Sequence, residues 1–216
     1  MTSHITIDFV SDISCPWCAV GLSALNKALN HIKTDVTATV RFQPFELNPQ
    51  MKPGGQDIAE HLTQKYRSTP EQQAQMQETI RERGAEVGFT FSQDGRGRIY
   101  NTFNAHRLLH WVGEEHPEQQ PQLKMALLNA CHRDRQAMDD AAVLVRAVET
   151  VGLSADRARE ILAGDEFSAD VRERETFYTN AGIHAVPAVI INERHLLSGG
   201  QPVEVYERAI RELASG

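Results

Sequence analysis

The sequence predicts an α/β fold interrupted by a large all-helical insertion. Three observations predict it. Stretches of alternating apolar residues lie near both ends of the 216-residue chain, and the long segment between them carries apolar residues at helical spacing. A Cys15-Pro16-Trp17-Cys18 segment stands where the first alternating stretch gives way to the first helical one. A second β-rich run, Val186-Pro187-Ala188-Val189-Ile190-Ile191, opens with a proline close to the C-terminal end.

Taken in order, residues 5–12 alternate through Ile5, Ile7 and Phe9, with Val10 apolar on the other face, which predicts a short strand covered on both sides. From Pro16 the spacing becomes helical through Leu22, Leu25, Leu29 and Ile32, and Pro16 fits the first helical position, where its missing N–H costs nothing. Residues 36–42 alternate again. Pro44, Pro49, Pro53 and Gly54-Gly55 then mark a boundary, and residues 56–181 read as almost entirely helical. Within them, Thr69-Pro70-Glu71-Gln72 has the form of a capping box, with Gly88 as the stop, and 89–98 reads as a polar loop. Further helices are expected over about 121–133, 139–151, 155–163 and 166–180. The last segment reads as a strand, a two-residue turn at Asn192-Glu193, a returning strand over 194–198, and a final helix opened by Pro202 with Val203, Tyr206, Ile210 and Leu213 on its apolar face. The order β-α-β, helical block, α-β-β-α is that of a thioredoxin fold with a helical insertion. Residues 1–50 and 176–216 would form the discontinuous thioredoxin-fold domain and 51–175 the insertion.

Composition narrows the function. The chain is 41% hydrophobic and 24% charged, as in an ordinary globular protein. Its formal net charge is -7 with no offsetting Lys/Arg block, which argues against nucleic acid as a partner. No apolar run approaches the ~18 residues of a membrane span. The N-terminus lacks a basic stretch followed by an apolar one, so the expected compartment is the cytoplasm. Three cysteines are too few for a disulfide scaffold.

A Cys-x-x-Cys pair at the mouth of a helix has a mechanism. Free N–H groups and the helix dipole favour an anion there, so the outer thiol ionises more readily than an isolated one. Cys15 is therefore the candidate nucleophile. Cys18, one turn in and buried, would resolve the mixed disulfide that Cys15 forms. A zinc site needs more ligands than this pair supplies, and no second Cys-x-x-Cys exists, so no metal is expected. X-Pro bonds are mostly trans, but in thioredoxin-like folds the proline at this position is cis and faces the cysteine pair; the similarity to that fold implies the same of Pro187, which would leave the Val186 backbone able to bond an extended substrate.

The blocks 11–18 (SDISCPWC), 41–49 (RFQPFELNP), 101–111 (NTFNAHRLLHW), 139–153 (DDAAVLVRAVETVGL) and 184–202 (HAVPAVIINERHLLSGGQP) together resemble the DsbA-like thioredoxin-domain family, and within it the FrnE-like subgroup. The resemblance implies thiol–disulfide exchange with disulfide-containing proteins or small thiols, Val186-Pro187 as the substrate-facing loop, and the 101–111 helix near the groove. It implies no required cofactor, with glutathione open as a co-substrate. The best-known oxidising members of the family carry His where this chain has Trp17, so the direction of net flux is not carried over by the resemblance. The glutathione-dependent cousins, kappa-class transferases and 2-hydroxychromene-2-carboxylate isomerases, generally have Ser at the nucleophile position, so Cys15 favours redox chemistry over isomerase or transferase activity. A chaperone-like peptide holder is the third reading.

Pro16 and Trp17 are expected to contact substrate beside the sulfurs. Phe45 and Asn48 would line the groove or pack the strand end, and Asn104, His106 and Arg107 could reach the groove from the insertion, with Arg107 either a holder of a carboxylate or part of a surface or structural ion pair. Asp12 either caps the turn or influences the thiols. Cys131 reads as a half-buried free thiol.

Overall fold

The computed structural model describes residues 3–214. Strand β1 (Ser3–Ser11) leads into helix α1 (Pro16–Ile32), and the chain returns along β2 (Val36–Pro44), parallel to β1. A helical block follows: α2 (Ile58–Tyr66), α3 (Pro70–Val87), α4 (Phe103–Glu115), α5 (Gln120–His132), α6 (Ala141–Thr150), α7 (Ala155–Ala163) and α8 (Ser168–Asn180). Two short strands that the helical pattern hides, β3 (Gln56–Asp57) and β4 (Arg98–Ile99), pair antiparallel within it. They are too short to show any alternation. The hairpin β5 (Ala188–Ile191) and β6 (His195–Ser198) and helix α9 (Val203–Ala214) complete the fold.

The four-stranded sheet runs β2-β1-β5-β6, with β5 antiparallel to both neighbours. Alternation along β1 sorts its side chains. Ile5, Ile7 and Phe9 join α1 and α9 in one core with Leu22, Leu25, Tyr206 and Ile210, while Val10 faces Tyr178 and Ile183 on the other side. Asn192 and Glu193 both adopt positive φ (51° and 59°), the geometry of a two-residue hairpin turn whose twist matches the strands. Thr69 and Gln72 form the capping box at the start of α3, and Gly88 ends that helix at φ 82°.

A second core, distinct from the sheet core, gathers Trp111, Leu108, Leu127, Leu144 and Ile161 from α4 to α7. Ile13, from the loop between β1 and α1, is buried in it. The active-site loop is thus gripped by both cores. The boundary expected at 175/176 falls inside α8, which runs unbroken from Ser168 to Asn180.

Candidate active site

Cys15 is the N-cap of α1, in extended geometry (φ -90°, ψ 114°), and Pro16 occupies the first turn. No side chain caps this helix, so the first-turn amides point at the cap position itself, where an anion is favoured. Both cysteines are free thiols. The Val186–Pro187 peptide is cis, and the Val186 carbonyl lies 3.6 Å from Cys15 Sγ. Close packing brings this loop in. A Cβ on Gly21 would lie 3.1 Å from Pro187 Cγ and 3.2 Å from Gly200 Cα, so a bare backbone in α1 lets the proline loop approach. Gly199 donates its N–H to the Pro187 carbonyl at 2.8 Å and fixes the loop from behind.

The two thiols are driven apart in acidity. The adjacent Cys18 thiol lowers the Cys15 pKa; burial opposes it, the Cys18 amide assists, Asp12 opposes, and the Trp17 amide adds to the lowering. Burial is the main reason that Cys18 is held well above the ordinary thiol range, with the Cys15 sulfur adding to it and Lys124 opposing.

Asp12 binds the surroundings together. Burial works against its charge, but the His106 ring and the Ser14 and Leu47 amides outweigh that and hold its carboxyl at about 2. Its Oδ1 accepts from the Ser14 N–H (3.0 Å) and the Thr102 hydroxyl (2.8 Å), and its Oδ2 accepts from the Leu47 N–H (2.7 Å). His106 Nε2 lies 3.6 Å from Oδ1. One carboxylate therefore connects the cysteine loop, the segment after β2 and the start of α4.

Beneath it lies Lys124 of α5, fully buried, with an ammonium that makes no hydrogen bond to the described residues. Burial brings its pKa down to about 8, against the pull of Cys18, Asp12 and Cys15. Lys124 and His106 both line a cavity of about 10 Å³, the size of one water molecule.

The remaining expected site residues fall in different places. Trp17 is half-buried against the sheet core beside the cysteines, and Phe45 packs with Val186 against Val10 and Tyr178. Asn48 accepts a bond from the Lys65 ammonium of α2 at 2.8 Å. His106 reaches the underside of the site through Asp12 and does not open onto a groove. Arg107 is a correction. It is buried, and its guanidinium donates to the carbonyls of Ile161 (2.6 Å), Gly164 (2.8 Å) and Glu166 (2.9 Å) and to Asn104 Oδ1 (2.9 Å). It ties the end of α7 to α4 with four of its five N–H donors, so this buried guanidinium serves the fold and not a ligand carboxylate, while Asn104 takes part only through its Oδ1. Cys131 is fully rather than half-buried, at 4% exposure, with Arg96 Nη1 3.7 Å from its sulfur. Burial pushes its thiol up despite that guanidinium.

Lys124 was missed because a single lysine in a helix reads as solvent-facing. The usable signal was its register: it shares a face with Gln120, Leu127, Leu128 and Cys131, all buried. Thr102 and Arg96, which donates to the Ser14 carbonyl at 2.7 Å, carry no comparable signal. Among the described residues no group of His, Cys, Asp and Glu side chains could hold a metal ion, and no helix is long and apolar enough to cross a membrane.

Known proteins share this architecture. A solved structure of a probable DsbA oxidoreductase from Streptomyces coelicolor matches with a TM-score of 0.87 and 29% identity, over 99% of this chain and 91% of that one. The cytosolic disulfide reductase DsbM of Pseudomonas aeruginosa, solved with glutathione, has the same fold at a TM-score of 0.68 and 14% identity, covering 98% and 100% of the two chains. So does a 2-hydroxychromene-2-carboxylate isomerase, at 0.76 and 14% over 96% and 95%. The uncharacterized protein YwbO of Bacillus subtilis is 24% identical over 213 residues, 98% of each chain. The family model of the DSBA-like thioredoxin domain matches residues 6–211, so that the strand, the helix bearing the cysteines, the helical block and the proline hairpin all fall within one match, and the chain belongs to the DsbA-like thioredoxin-domain family.

Proposed function

We propose that this protein is a dithiol–disulfide oxidoreductase in which Cys15 attacks and Cys18 resolves, acting on disulfides of proteins or of small thiols. The observation that carries the reading is the placing of two free thiols one helical turn apart, the outer at an uncapped helix start 3.6 Å from the carbonyl before the cis proline and the inner buried, an arrangement that lowers the outer pKa and raises the inner. A lowered outer pKa raises the thiolate fraction of Cys15, and a raised inner pKa favours the protonated form of Cys18 until it is needed.

In the reducing direction, the Cys15 thiolate attacks one sulfur of the substrate disulfide. A mixed disulfide forms, and the first substrate thiolate leaves and takes a proton from solvent. Cys18 then gives up its proton, attacks Cys15 Sγ and expels the second substrate thiolate. The substrate gains two electrons and the Cys15–Cys18 pair becomes the disulfide. Every step reverses for oxidation, with direction set by the reduction potential of the pair. Lys124, with a pKa near 8, is placed to favour the Cys18 thiolate electrostatically.

In this reading an extended substrate segment bonds the Val186 backbone beside the cis proline, as an added strand. Pro16 and Trp17 contact it next to the sulfurs, and Phe45 and Asn48 form the rim. Residues 1–50 and 176–216 form the catalytic unit in this reading, and the helical insertion, 51–175, backs it. No bound cofactor enters this chemistry, and glutathione is a candidate co-substrate, since the similarly folded DsbM was solved with it. A cytoplasmic setting belongs to the same proposal.

The test is a pair of variants. Cys18→Ser should accumulate a covalent adduct with a substrate disulfide, and Cys15→Ser should form none. If both variants catalyse dithiothreitol-dependent insulin reduction at the wild-type rate, the proposal fails.

A further inference from the structure

A cavity of about 400 Å³ opens beside the active-site loop, with Ser14, Arg96, Arg98, Arg135, Cys131 and Met138 among the nine residues that line it. Its volume lies in the range of small-molecule sites. Three of the nine lining residues are arginines and none is acidic, in a chain whose net charge is -7. The arginines come from two separate segments, 96–98 and 135, and converge on one opening. Each is held in place by part of its guanidinium. Arg96 Nη1 donates to the Ser14 carbonyl (2.7 Å), Arg98 donates from Nε and Nη2 to the Gly54 and Gly55 carbonyls (2.9 Å each), and Arg135 Nη1 reaches Asp94 (3.3 Å). A guanidinium carries five N–H donors, so each retains others to offer a ligand. Such forks match carboxylate and phosphate oxygens in pairs. The buried part of the lining is different in character: Cys131 and Met138 are soft and apolar, and the half-buried Tyr100 ring flanks them. That combination suits a molecule with anionic groups at one end and a short carbon or sulfur chain at the other.

Ser14 is both a wall of this cavity and the residue before the nucleophile, and Arg96 holds its carbonyl. We propose that the cavity receives the anionic end of the substrate, and that the substrate class is a thiol or disulfide of low molecular mass bearing two or more carboxylates or phosphates. The assignment of the ligand as substrate rests on the disulfide-exchange reading; the binding of an anion does not.

The experiment separates the two. Citrate and inorganic pyrophosphate, which have no sulfur, are titrated calorimetrically into the reduced full-length protein and into Arg96→Gln, Arg135→Gln and the double variant. Turnover of two small disulfides of opposite charge, 3,3′-dithiodipropionate and cystamine, is measured on the same proteins. The expected results are saturable binding of at least one anion, weakened roughly tenfold by each substitution as a charge-assisted pair is lost, and a preference for dithiodipropionate over cystamine that falls by a similar factor. Which anion binds tells carboxylate from phosphate. A far-UV circular dichroism spectrum and a thermal midpoint close to those of wild type show that the variants are folded. Absence of saturable binding, or equal binding by the double variant, overturns the site. Binding that responds to the substitutions while the disulfide preference does not overturns the substrate assignment. If wild type turns over neither disulfide yet binds citrate through these arginines, the substrate assignment fails and the anion site stands, and the insulin assay decides the exchange reading separately.

Discussion

Cys15 and Cys131 are each 4% exposed, yet their thiols move in opposite directions. Cys15 caps α1, where the Cys18 thiol and the first-turn amides stabilise a thiolate beyond what burial takes away. Cys131 lies in the last turn of α5, where backbone N–H groups are already bonded within the helix and carbonyls, not amides, face outward. A guanidinium 3.7 Å from its sulfur does not offset its burial. The contrast teaches that acidity here follows from position on a helix and from the second thiol, while exposure and proximity to a positive charge are poor guides.

The largest expected effect tests that contrast directly. Cys15→Ser should reduce disulfide exchange to the uncatalysed background, whereas Cys131→Ser should leave turnover within about twofold of wild type and cost about 1 kcal/mol or less of stability by urea denaturation.

Next in size is Lys124→Met. Lys124 lies one heptad from Cys131 on α5 yet interacts with Cys15 and Cys18. Its folded pKa of about 8 lies below the ordinary lysine value of 10.5, so the folded state carries the cost of a buried ammonium below pH 8, and that cost is relieved as the pH rises from 8 to 10.5. The substitution should therefore raise stability at neutral pH by roughly 3 kcal/mol. It should also shift resolution of the mixed disulfide by Cys18 to higher pH, in stopped-flow measurements, while Cys15 alkylation stays nearly unchanged.

Asp12→Asn is expected to be smaller and opposite in sign. The Asp12 carboxyl is depressed from 3.8 to about 2, so its contribution is present above pH 4 and is lost as the pH falls toward 2. The variant should lose about 2 kcal/mol at neutral pH and show a flatter acid limb in its stability profile. Removing a negative charge near Cys15 should also lower that thiol's pKa further, because Asp12 acts to raise it.

The smallest effect is that of Gly21→Ala, which adds a methyl 3.1 Å from Pro187 Cγ. It should cost about 1 kcal/mol through overpacking and slow exchange with peptide disulfides more than alkylation of Cys15, because the proline loop must shift.

Much of this contrast was legible in the sequence. Alternation through Ile5, Ile7 and Phe9, the proline after Cys15 and the change to helical spacing located the outer thiol at a helix start. Thr69 with Gln72, the Asn192-Glu193 turn and the amphipathic final helix were equally plain, because capping, turn chemistry and periodicity are local properties. What surrounds the thiols was not local. The partners of Asp12 come from Leu47, Thr102 and His106, and nothing in the spacing of these residues announces that one carboxylate gathers them. Arg107 was misread for the same reason: a charged side chain in a helix does not reveal whether it meets a ligand or the carbonyls of Ile161 and Gly164. Cys131 and Lys124 share a face that both cores enclose, which helical periodicity suggests only when the packing partner is known.

The most direct test is alkylation of the reduced protein by iodoacetamide across a pH series, with each cysteine followed separately by mass spectrometry. Cys15 should reach its half-maximal rate at a lower pH than a cysteine in an unfolded peptide, with Cys18 and Cys131 reacting only at higher pH than that reference. A Cys15 that titrates with the peptide or above it, or one that titrates together with Cys131, would contradict the account.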